Sequence, residues 1–160
     1  MSVHSFLLPQ HSYCLAAEYI NECTEMLIHS ELGRQYFSRE GSALHAVREA
    51  AESDTFYVAK RQDACVGFMY YLPHGAFHAF PYLHLIVVGE TERGHGTGTE
   101  MLRYLEKLVA AGKLFLAVAE FNSEGKHFYE KNGYVQVGKI DGLYRAGVTE
   151  YLMMKELKQG

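Results

Sequence analysis

The chain has 160 residues, of which 48% are hydrophobic and 21% are charged, and its formal net charge at pH 7 is -4. This composition excludes a disordered chain, which would be poorer in apolar residues, and argues against a nucleic-acid partner, which usually requires a basic surface. No apolar run approaches the roughly 20 residues that span a bilayer, so we expect no membrane partner. The length and the lack of a linker-like stretch predict one domain over residues 1–160.

The cysteines and the N-terminal segment favour a protein of the reducing cytoplasm. Cys14, Cys23 and Cys65 are far apart in the sequence and odd in number. Neither a disulfide framework nor a metal-binding motif has that pattern. The apolar run Phe6–Leu8 ends at Pro9, which makes it too short for the core of a signal peptide.

The first half of the chain predicts a short strand, two helices and two paired strands. The strand is expected over Val3–Leu8. Ser12 and Ser42 are expected to cap the two helices, because a serine oxygen accepts a bond from the free N–H groups at a helix start. Thr55–Arg61 and Cys65–Leu72 are rich in β-branched and aromatic residues, which is typical of a hairpin.

The second half predicts alternating strands and helices. Pro73–Phe80 is expected to be a polar loop, and Tyr82–Val88 is almost continuously apolar, as in a central strand that is buried on both faces. A glycine-rich loop and a helix follow. The remaining elements are a strand over Leu114–Ala119, a helix over Ser123–Asn132, and strands over Tyr134–Ile140 and Glu150–Leu157. This order predicts a mixed α/β sheet rather than a doubly wound Rossmann domain.

The glycine-rich loop Arg93–Gly98 is the most informative segment. Glycine lets the backbone approach a ligand closely, and the N–H groups of a loop and of the following helix start attract an anion such as pyrophosphate. The Walker A pattern fails because no Gly-Lys-Ser/Thr follows, and the dinucleotide fingerprint fails at its third glycine. A pattern of Arg/Gln-x-x-Gly-x-Gly/Ala matches. On the loop alone, a flexible turn before a helix remains an alternative.

Two separated segments resemble the GNAT superfamily of acyl-CoA-dependent N-acyltransferases. The loop is similar to the pyrophosphate-binding signature of that family, and it follows the apolar strand Leu83–Val88. Downstream, Asn122–Tyr134 looks like the family segment Asn-x-x-Ala-x-x-Phe-Tyr-Glu-Lys-x-Gly-Phe. The resemblance implies a mostly antiparallel sheet of six or seven strands, with splayed central strands and about four flanking helices.

The resemblance also implies acetyl-CoA as the acyl donor and a set of residues that bind it. Backbone groups of Ile86, Val87 and Val88 would pair with the pantetheine arm. Asn122 matches a cofactor-bonding position, although capping the next helix is an equal and compatible alternative. The residues that would hold the pyrophosphate are Arg93, Gly94, His95, Gly96, Thr97, Gly98 and Thr99.

The catalytic residues implied by the family are less complete. Tyr129 matches the position whose phenol points at the CoA sulfur, so it is the candidate general acid, with core packing beside Phe128 as the alternative. The acid that many members carry upstream of the asparagine is Ala117 here. Glu120 and His84 are the candidate bases, although a hydrogen-bonded histidine on a buried strand is an equally reasonable role for His84.

A further tyrosine and two histidines are also candidates for the site. Tyr82 stands where other members have a glutamate and is expected to shape the pocket. His74 and His78, with His84, have irregular spacing and no neighbouring acid or thiol, so we expect no metal.

The expected activity is transfer of an acetyl group from acetyl-CoA to a primary amine by direct attack, with the acceptor a small molecule or a peptide. Two alternatives remain open. One is a CoA-binding sensor without turnover, suggested by Ala117, and the other is transfer of a longer acyl group. A homodimer is an expectation that comes from the family.

Overall fold

A mixed β-sheet is the framework of the fold, and the structure, a computed structural model, describes residues 6–7 and 12–158. The strands are β1 (Phe6–Leu7), β2 (Ser12–Leu15), β3 (Phe56–Arg61), β4 (Ala64–Ala76), β5 (Phe80–Val88), β6 (Lys113–Ala119), β7 (Val135–Asp141) and β8 (Thr149–Glu156). The helices are α1 (Ile20–Ile28), α2 (Glu31–Tyr36), α3 (Ser42–Ala51), α4 (Thr97–Val109) and α5 (Ser123–Lys131).

The strand order is β1-β2-β3-β4-β5-β6-β8-β7. Strands β5 and β6 are parallel, and their described register pairs are Tyr82 with Phe115 and Leu83 with Leu116. The pairs β1/β2, β2/β3, β3/β4, β6/β8 and β7/β8 are antiparallel. The predicted mixed α/β fold is therefore confirmed.

The described residues divide into two compact units. The first contains the described residues up to Tyr71 and Leu85–Leu102, and the second contains Leu72–His84 and the described residues from Arg103 onwards. Strands β4 and β5 and helix α4 each contribute residues to both units. A single domain over residues 1–160 stays a prediction.

The core of the first unit lies between its helices and strands. Apolar residues recur at helical spacing in α1 and α3, so that each helix presents one apolar face. Phe56 stacks on Phe68 across β3 and β4 with ring centroids 5.3 Å apart. The buried members of this core are Cys23, Leu27, Ala43, Val47, Ala50, Phe56, Val58, Phe68, Leu85 and Val87.

The sheet of the second unit has one face covered by helices. Leu114, Leu116 and Val118 of β6 are buried on this face, since alternate residues of a strand point the same way. Helix α5 packs here through Lys126, whose Nζ lies 4.7 Å from the ring centroid of Tyr151. The α4 residue Glu106 reaches the same face, where its carboxylate pairs with Lys155 of β8 at 2.9 Å.

The predicted first helix begins later than expected, and the cap at Ser12 is wrong. Ser12–Leu15 forms β2 instead, with Ser12 opposite Lys60 and Leu15 opposite Tyr57. The ladder with β3 satisfies the backbone of this segment, so pairing outweighs the helical spacing of its apolar residues. Helix α1 then starts at Ile20. The predicted strand Val3–Leu8 has only Phe6–Leu7 within the described residues, as β1.

The N-terminal caps of the next two helices also differ from the prediction. Ser42 is the first residue of α3, and Gly41 precedes it as the cap with φ +79°. The Ser42 hydroxyl lies inside the first turn and donates to the Arg39 carbonyl oxygen at 2.6 Å, and no side-chain hydrogen bond caps α3. Ser30 is a true cap, since its Oγ accepts from the Gly33 amide at 2.9 Å and starts α2, which the sequence analysis missed.

The predicted loop Pro73–Phe80 is mostly strand. Strand β4 continues to Ala76 and β5 begins at Phe80, so a tight turn is all that separates them. The Ala79 amide donates to the Ala76 carbonyl oxygen at 3.1 Å. Phe77 and His78 in the turn have φ +57° and +58°, which matches a type I′ hairpin turn without its usual glycine.

The sequence predicted that strand β5 is buried on both faces, and this prediction is wrong. Leu83, Leu85 and Val87 are buried, whereas His84 is exposed and the other alternate residues are partly exposed. One face of this strand is therefore open. No helix among the described residues is both long and apolar enough to cross a membrane.

Candidate functional site

The glycine-rich loop connects β5 to α4 in the first unit. Gly94 and Gly96 have φ +80° and +81°, in the left-handed region that favours glycine. A methyl group built on either would meet no atom within 4 Å, so the space beside both backbones is open. Glycine suits both positions, because a larger residue would be strained at this φ and its side chain would fill the open space beside the backbone.

Helix α4 starts directly after the second of these glycines. Its first intrahelical bond runs from the Glu100 amide to the Gly96 carbonyl oxygen at 3.0 Å. The amides of Thr97, Gly98 and Thr99 belong to the first turn, which has no helical acceptor for them. Together with the helix dipole, these amides form a site suited to a multiply charged anion.

Two contacts of the Glu92 side chain hold the conformation of this loop. The Glu92 carboxylate is 14% exposed and pairs with the Arg61 guanidinium of β3 at 3.0 Å. The same carboxylate oxygen accepts a bond from the Thr97 hydroxyl at 3.3 Å. Thr97 is buried, and its hydroxyl connects the start of α4 to the loop. Arg93 and His95 are exposed on the same loop.

The strand before the loop has one partly exposed face. Ile86 and Val88 are partly exposed on one face of β5, and Val87 is buried on the other. The described pairing between β5 and β6 contains two register pairs, both before His84. The strand segment Leu85–Val88 follows these pairs, and the splay of the central strands stays a prediction.

The predicted general acid and the predicted cofactor asparagine lie at opposite ends of α5 in the second unit. Asn122 caps the helix, because its Oδ1 accepts from the Gly125 amide at 3.0 Å. Tyr129 lies near the C-terminus, with its ring centroid 6.0 Å from that of Tyr134. Burial raises the pKa of the Tyr129 phenol well above its ordinary value of 10. The phenol therefore stays protonated and can donate a proton.

The two predicted bases lie in the same unit as Tyr129 but in different surroundings. Glu120 is exposed at the end of β6, and its Oε1 accepts from the Thr149 amide at 3.2 Å. His84 is exposed on β5, with its ring centroid 6.2 Å from that of Tyr82. His84 is therefore exposed on a half-buried strand. The roles of Glu120 and His84 in proton transfer stay predictions.

Two residues of this unit were missed by the sequence analysis, Glu150 and Tyr144. Glu150 is 3% exposed, and it is the one charged side chain that is buried among residues 18–158. Tyr144 shares a 3.3 Å hydroxyl contact with Tyr82. Burial and then the Tyr144 hydroxyl are the main causes that raise the pKa of Tyr82, and the Glu150 carboxylate adds to them. No local motif marks either residue, because strand pairing and a loop bring them here.

The predicted site residues thus fall into two groups. The loop residues and Ile86–Val88 belong to the first unit, whereas Tyr129, Asn122, Glu120 and His84 belong to the second. Within the part of the chain that the structure describes, no three His, Cys, Asp or Glu side chains form a cluster able to hold a metal ion.

Solved structures of acetyltransferases share this fold. A GNAT acetyltransferase from Bacillus cereus ATCC 10987 is 18% identical, with a TM-score of 0.75, over 92% of this chain and 98% of that chain. An aminoglycoside 6′-N-acetyltransferase solved with coenzyme A is 20% identical, with a TM-score of 0.69, over 98% and 97%. An aminoglycoside 6′-acetyltransferase type Ii is 24% identical, with a TM-score of 0.72, over 98% and 97%.

The family assignment comes from the sequence. The chain matches no curated protein sequence. The sequence model of the acetyltransferase (GNAT) family matches residues 15–134, which include the glycine-rich loop and the Asn122–Tyr134 segment. The chain therefore belongs to the acetyltransferase (GNAT) family.

Proposed function

We propose that the protein transfers an acetyl group from acetyl-CoA to a primary amine. The observation that carries this proposal is the loop with open space beside Gly94 and Gly96 at the start of α4, in a chain of the GNAT family. The backbone amides from Gly94 to Thr99 would hold the diphosphate of the donor. Coenzyme A bound to the aminoglycoside 6′-N-acetyltransferase of the same fold supports this choice of ligand.

The strand before the loop would hold the rest of the donor. Ile86, Val87 and Val88 would offer their backbone groups to the pantetheine arm, as an added strand does. This recognition does not depend on side-chain chemistry, which is consistent with the apolar residues at these positions. The Asn122 amide has its Oδ1 engaged in the helix cap and would offer its nitrogen to the donor.

The reaction requires a neutral amine and a protonated leaving group. A simple alkylamine has a pKa near that of lysine, so its deprotonation at pH 7 costs about 4–5 kcal/mol. The amine nitrogen would attack the thioester carbonyl carbon, the carbon–sulfur bond would break, and Tyr129 would give its proton to the thiolate. His84 or Glu120 would receive the proton that the amine releases.

The proposal is tested with acetyl-CoA and a set of amines. The set contains polyamines, amino acids, aminoglycosides and peptides with free N-termini, and thiol release is the measured signal. Release that depends on an amine, with the acetylated amine identified by mass spectrometry, is the expected result. Silence with all of these amines, or failure of calorimetry to detect acetyl-CoA binding, would contradict the proposal.

A sensor that binds CoA without turnover is the second candidate function. Ala117 favours it, because β6 carries a methyl group where many members of the family carry an acid. Transfer of a longer acyl group is a variant of the leading proposal, and the same assay with propionyl- and butyryl-CoA tests it.

Replacement of the candidate general acid separates the enzyme from the sensor. For an enzyme, Tyr129→Phe is expected to lower kcat by about 10²-fold, since proton transfer by a positioned group contributes that order of rate. The Kd of coenzyme A is expected to stay within about twofold, because the ring is kept. Tyr151→Phe on the neighbouring strand is the matched control and should leave both values unchanged. Equal rates for Tyr129→Phe and the unchanged protein would exclude Tyr129 as the acid.

A further inference from the structure

Two cysteines belong to the core of the first unit, one from α1 and one from β4. Cys23 is on the buried face of α1 and is fully buried. Cys65 is the second residue of β4, is partly exposed, and packs against the core cluster that contains Cys23. Neither is in a disulfide. The proposed acetyl transfer uses neither thiol.

The N-terminal turn of α1 lies over the strand pair that contains Cys65. Tyr19 immediately precedes α1, and the Lys60 Nζ lies 5.1 Å from its ring centroid. Lys60 is the register partner of Cys65 in the ladder between β3 and β4. Residues four apart at a helix start lie on the same side, so the side that contains Tyr19 also contains Cys23. This contact therefore directs Cys23 toward Cys65.

The next turn of α1 gives the same geometry. A methyl group built on Gly89 would lie 3.5 Å from the Met26 Sδ of α1 and 3.2 Å from the Val66 carbonyl oxygen of β4. Met26 is three residues after Cys23 on the same side of the helix, and Val66 directly follows Cys65. Cys23 therefore lies between two contacts that both hold α1 against the start of β4.

The two thiols interact directly. The Cys23 side chain is hydrogen-bonded to that of Cys65, and this bond is the largest cause that holds the pKa of Cys65 below its usual value. Burial and then the Glu22 charge oppose this shift, whereas Gly67 and Lys60 support it. The Cys65 Sγ also lies 3.8 Å from the Gly67 carbonyl oxygen. Cys65 therefore has more thiolate at neutral pH than an ordinary cysteine has.

A partly exposed thiol beside a second, buried thiol is the arrangement of a redox-sensitive pair. The thiolate is the form that reacts with peroxide, and exposure decides which thiol the oxidant reaches first. Cys65 has both properties, whereas Cys23 is shielded from solvent and lies where it can attack an oxidised Cys65. Two sulfurs in hydrogen-bond contact need a small displacement to reach the geometry of a disulfide.

We propose that Cys23 and Cys65 are a redox pair that hydrogen peroxide converts to an intramolecular disulfide between α1 and β4. The Cys65 thiolate attacks one peroxide oxygen, the O–O bond breaks, and Cys65 becomes a sulfenic acid. The hydroxide that leaves takes up the proton that Cys65 released on ionisation. The Cys23 sulfur then attacks the Cys65 sulfur, the S–O bond breaks, and water leaves with the Cys23 proton. The two thiols lose two electrons, which reduce the peroxide to two molecules of water.

Counting thiols after oxidation tests the pair. The full chain is reduced, freed of reductant, treated with a small excess of hydrogen peroxide, and then denatured with N-ethylmaleimide. The chain has three cysteines, so the reduced protein is expected to take up three maleimides and the oxidised protein one. Peptide mapping by mass spectrometry should find the peptides of Cys23 and Cys65 joined and Cys14 alkylated. Dithiothreitol should restore all three thiols.

Three variants assign the roles. Cys14→Ser is the matched control, since it keeps the pair, and it should form the disulfide at the rate of the unchanged protein. Cys23→Ala removes the second thiol and should stop at the sulfenic acid of Cys65, which dimedone labels. Cys65→Ala changes a partly exposed residue and should still take up two maleimides after peroxide. This variant keeps the test decisive if Cys23→Ala fails to fold, because loss of its Cys23 thiol would overturn the proposed order of attack.

Four results would overturn the proposal. They are three alkylated thiols after peroxide, a disulfide that contains Cys14, a covalent dimer, and a sulfinic acid at Cys65 of the unchanged protein without any disulfide. A disulfide that forms as fast in the urea-denatured chain would also overturn it, since the fold would then not bring the thiols together. The pair does not depend on the proposed function. A protein that forms the disulfide but acetylates no amine would overturn that function and not the pair.

Discussion

At the scale of single residues, the two glycines with positive φ define how the loop can bind a ligand. Gly94 and Gly96 adopt φ values that cost an L-residue about 1–2 kcal/mol, and the space beside each is open. That combination separates two effects of a methyl group, which are strain in the protein and obstruction of a bound diphosphate. A matched glycine elsewhere has the strain alone.

Gly96→Ala is expected to weaken coenzyme A binding by about tenfold or more, equivalent to about 1.4 kcal/mol, because the methyl group occupies the approach to the amides of α4. Gly41→Ala is the control, since Gly41 also precedes a helix, has φ +79° and has open space around it. Both variants should lose similar stability in urea. Equal Kd values for Gly96→Ala and the unchanged protein would show that this backbone does not contact the ligand.

The residues of the site differ in how far the sequence could predict them. Gly94, Gly96 and Asn122 lie in segments where neighbours along the chain define the geometry, so a motif was sufficient to find them. Glu150 depends on its pairing with Ala119, 31 positions away in the sequence, and nothing adjacent to it marks a site. Its burial follows from tertiary structure alone.

At the scale of elements, the loop is shaped by a side-chain network that reaches β3. Glu92 accepts from both Arg61 and Thr97, so one carboxylate connects a strand, the loop and the first residue of α4. Such a network positions the amides before a ligand arrives, which lowers the ordering cost of binding.

Glu92→Ala is therefore expected to raise the Kd of coenzyme A about three- to tenfold, because a less ordered loop loses more conformational freedom when the ligand binds. Glu90→Ala removes an exposed acid from the same loop and should leave the Kd unchanged. Stopped-flow binding gives the association and dissociation rates, and from them the Kd, for both variants. A Kd for Glu92→Ala that matches the Glu90→Ala control would mean that the loop keeps its shape without this network.

The hairpin between β4 and β5 contains a second strained element. His78 is exposed and has φ +58°, a conformation in which glycine is preferred for a type I′ turn. His78→Gly is expected to raise the free energy of unfolding by about 1 kcal/mol, since relief of strain exceeds the entropy that glycine adds to the unfolded chain. His78→Ala removes the same imidazole but keeps the strain and should give no gain. Urea denaturation compares the two variants, and equal midpoints would contradict the argument.

Most elements were predictable because their sequence patterns are local, whereas two strand segments were not recognised. Helix α5 and strands β6, β7 and β8 have clear local patterns and were placed within a residue or two. Ser12–Leu15 reads as helix by spacing but pairs with β3, and Pro73 lies in β4 although proline usually ends a strand. For Ser12–Leu15 the pairing with β3, which is distant along the chain, outweighs the local preference, and a single sequence does not reveal such pairing.

At the scale of the whole molecule, the tyrosines define how stability depends on alkaline pH. Burial is the largest cause that raises the pKa of Tyr57, Tyr71, Tyr82, Tyr129 and Tyr134 above the ordinary value of 10. These phenols are neutral in both the folded and the unfolded chain below pH 10. Above it, the unfolded chain loses their protons first, so it binds fewer protons than the folded chain and becomes favoured.

The free energy of unfolding is therefore expected to be insensitive to these groups up to about pH 9 and to fall steeply above pH 10. Each buried phenol contributes up to about 1.4 kcal/mol per pH unit until its folded-state pKa is reached.

Tyr134→Phe isolates one of these contributions, since Tyr134 is fully buried. Its pKa is raised by burial and then by Glu106, whose carboxylate accepts a hydrogen bond from the Tyr134 hydroxyl at 3.0 Å. Urea titrations from pH 7 to 11 should give a shallower decline for this variant than for the unchanged protein. Parallel declines for Tyr134→Phe and the unchanged protein would contradict the contribution of the Tyr134 phenol to the alkaline loss of stability.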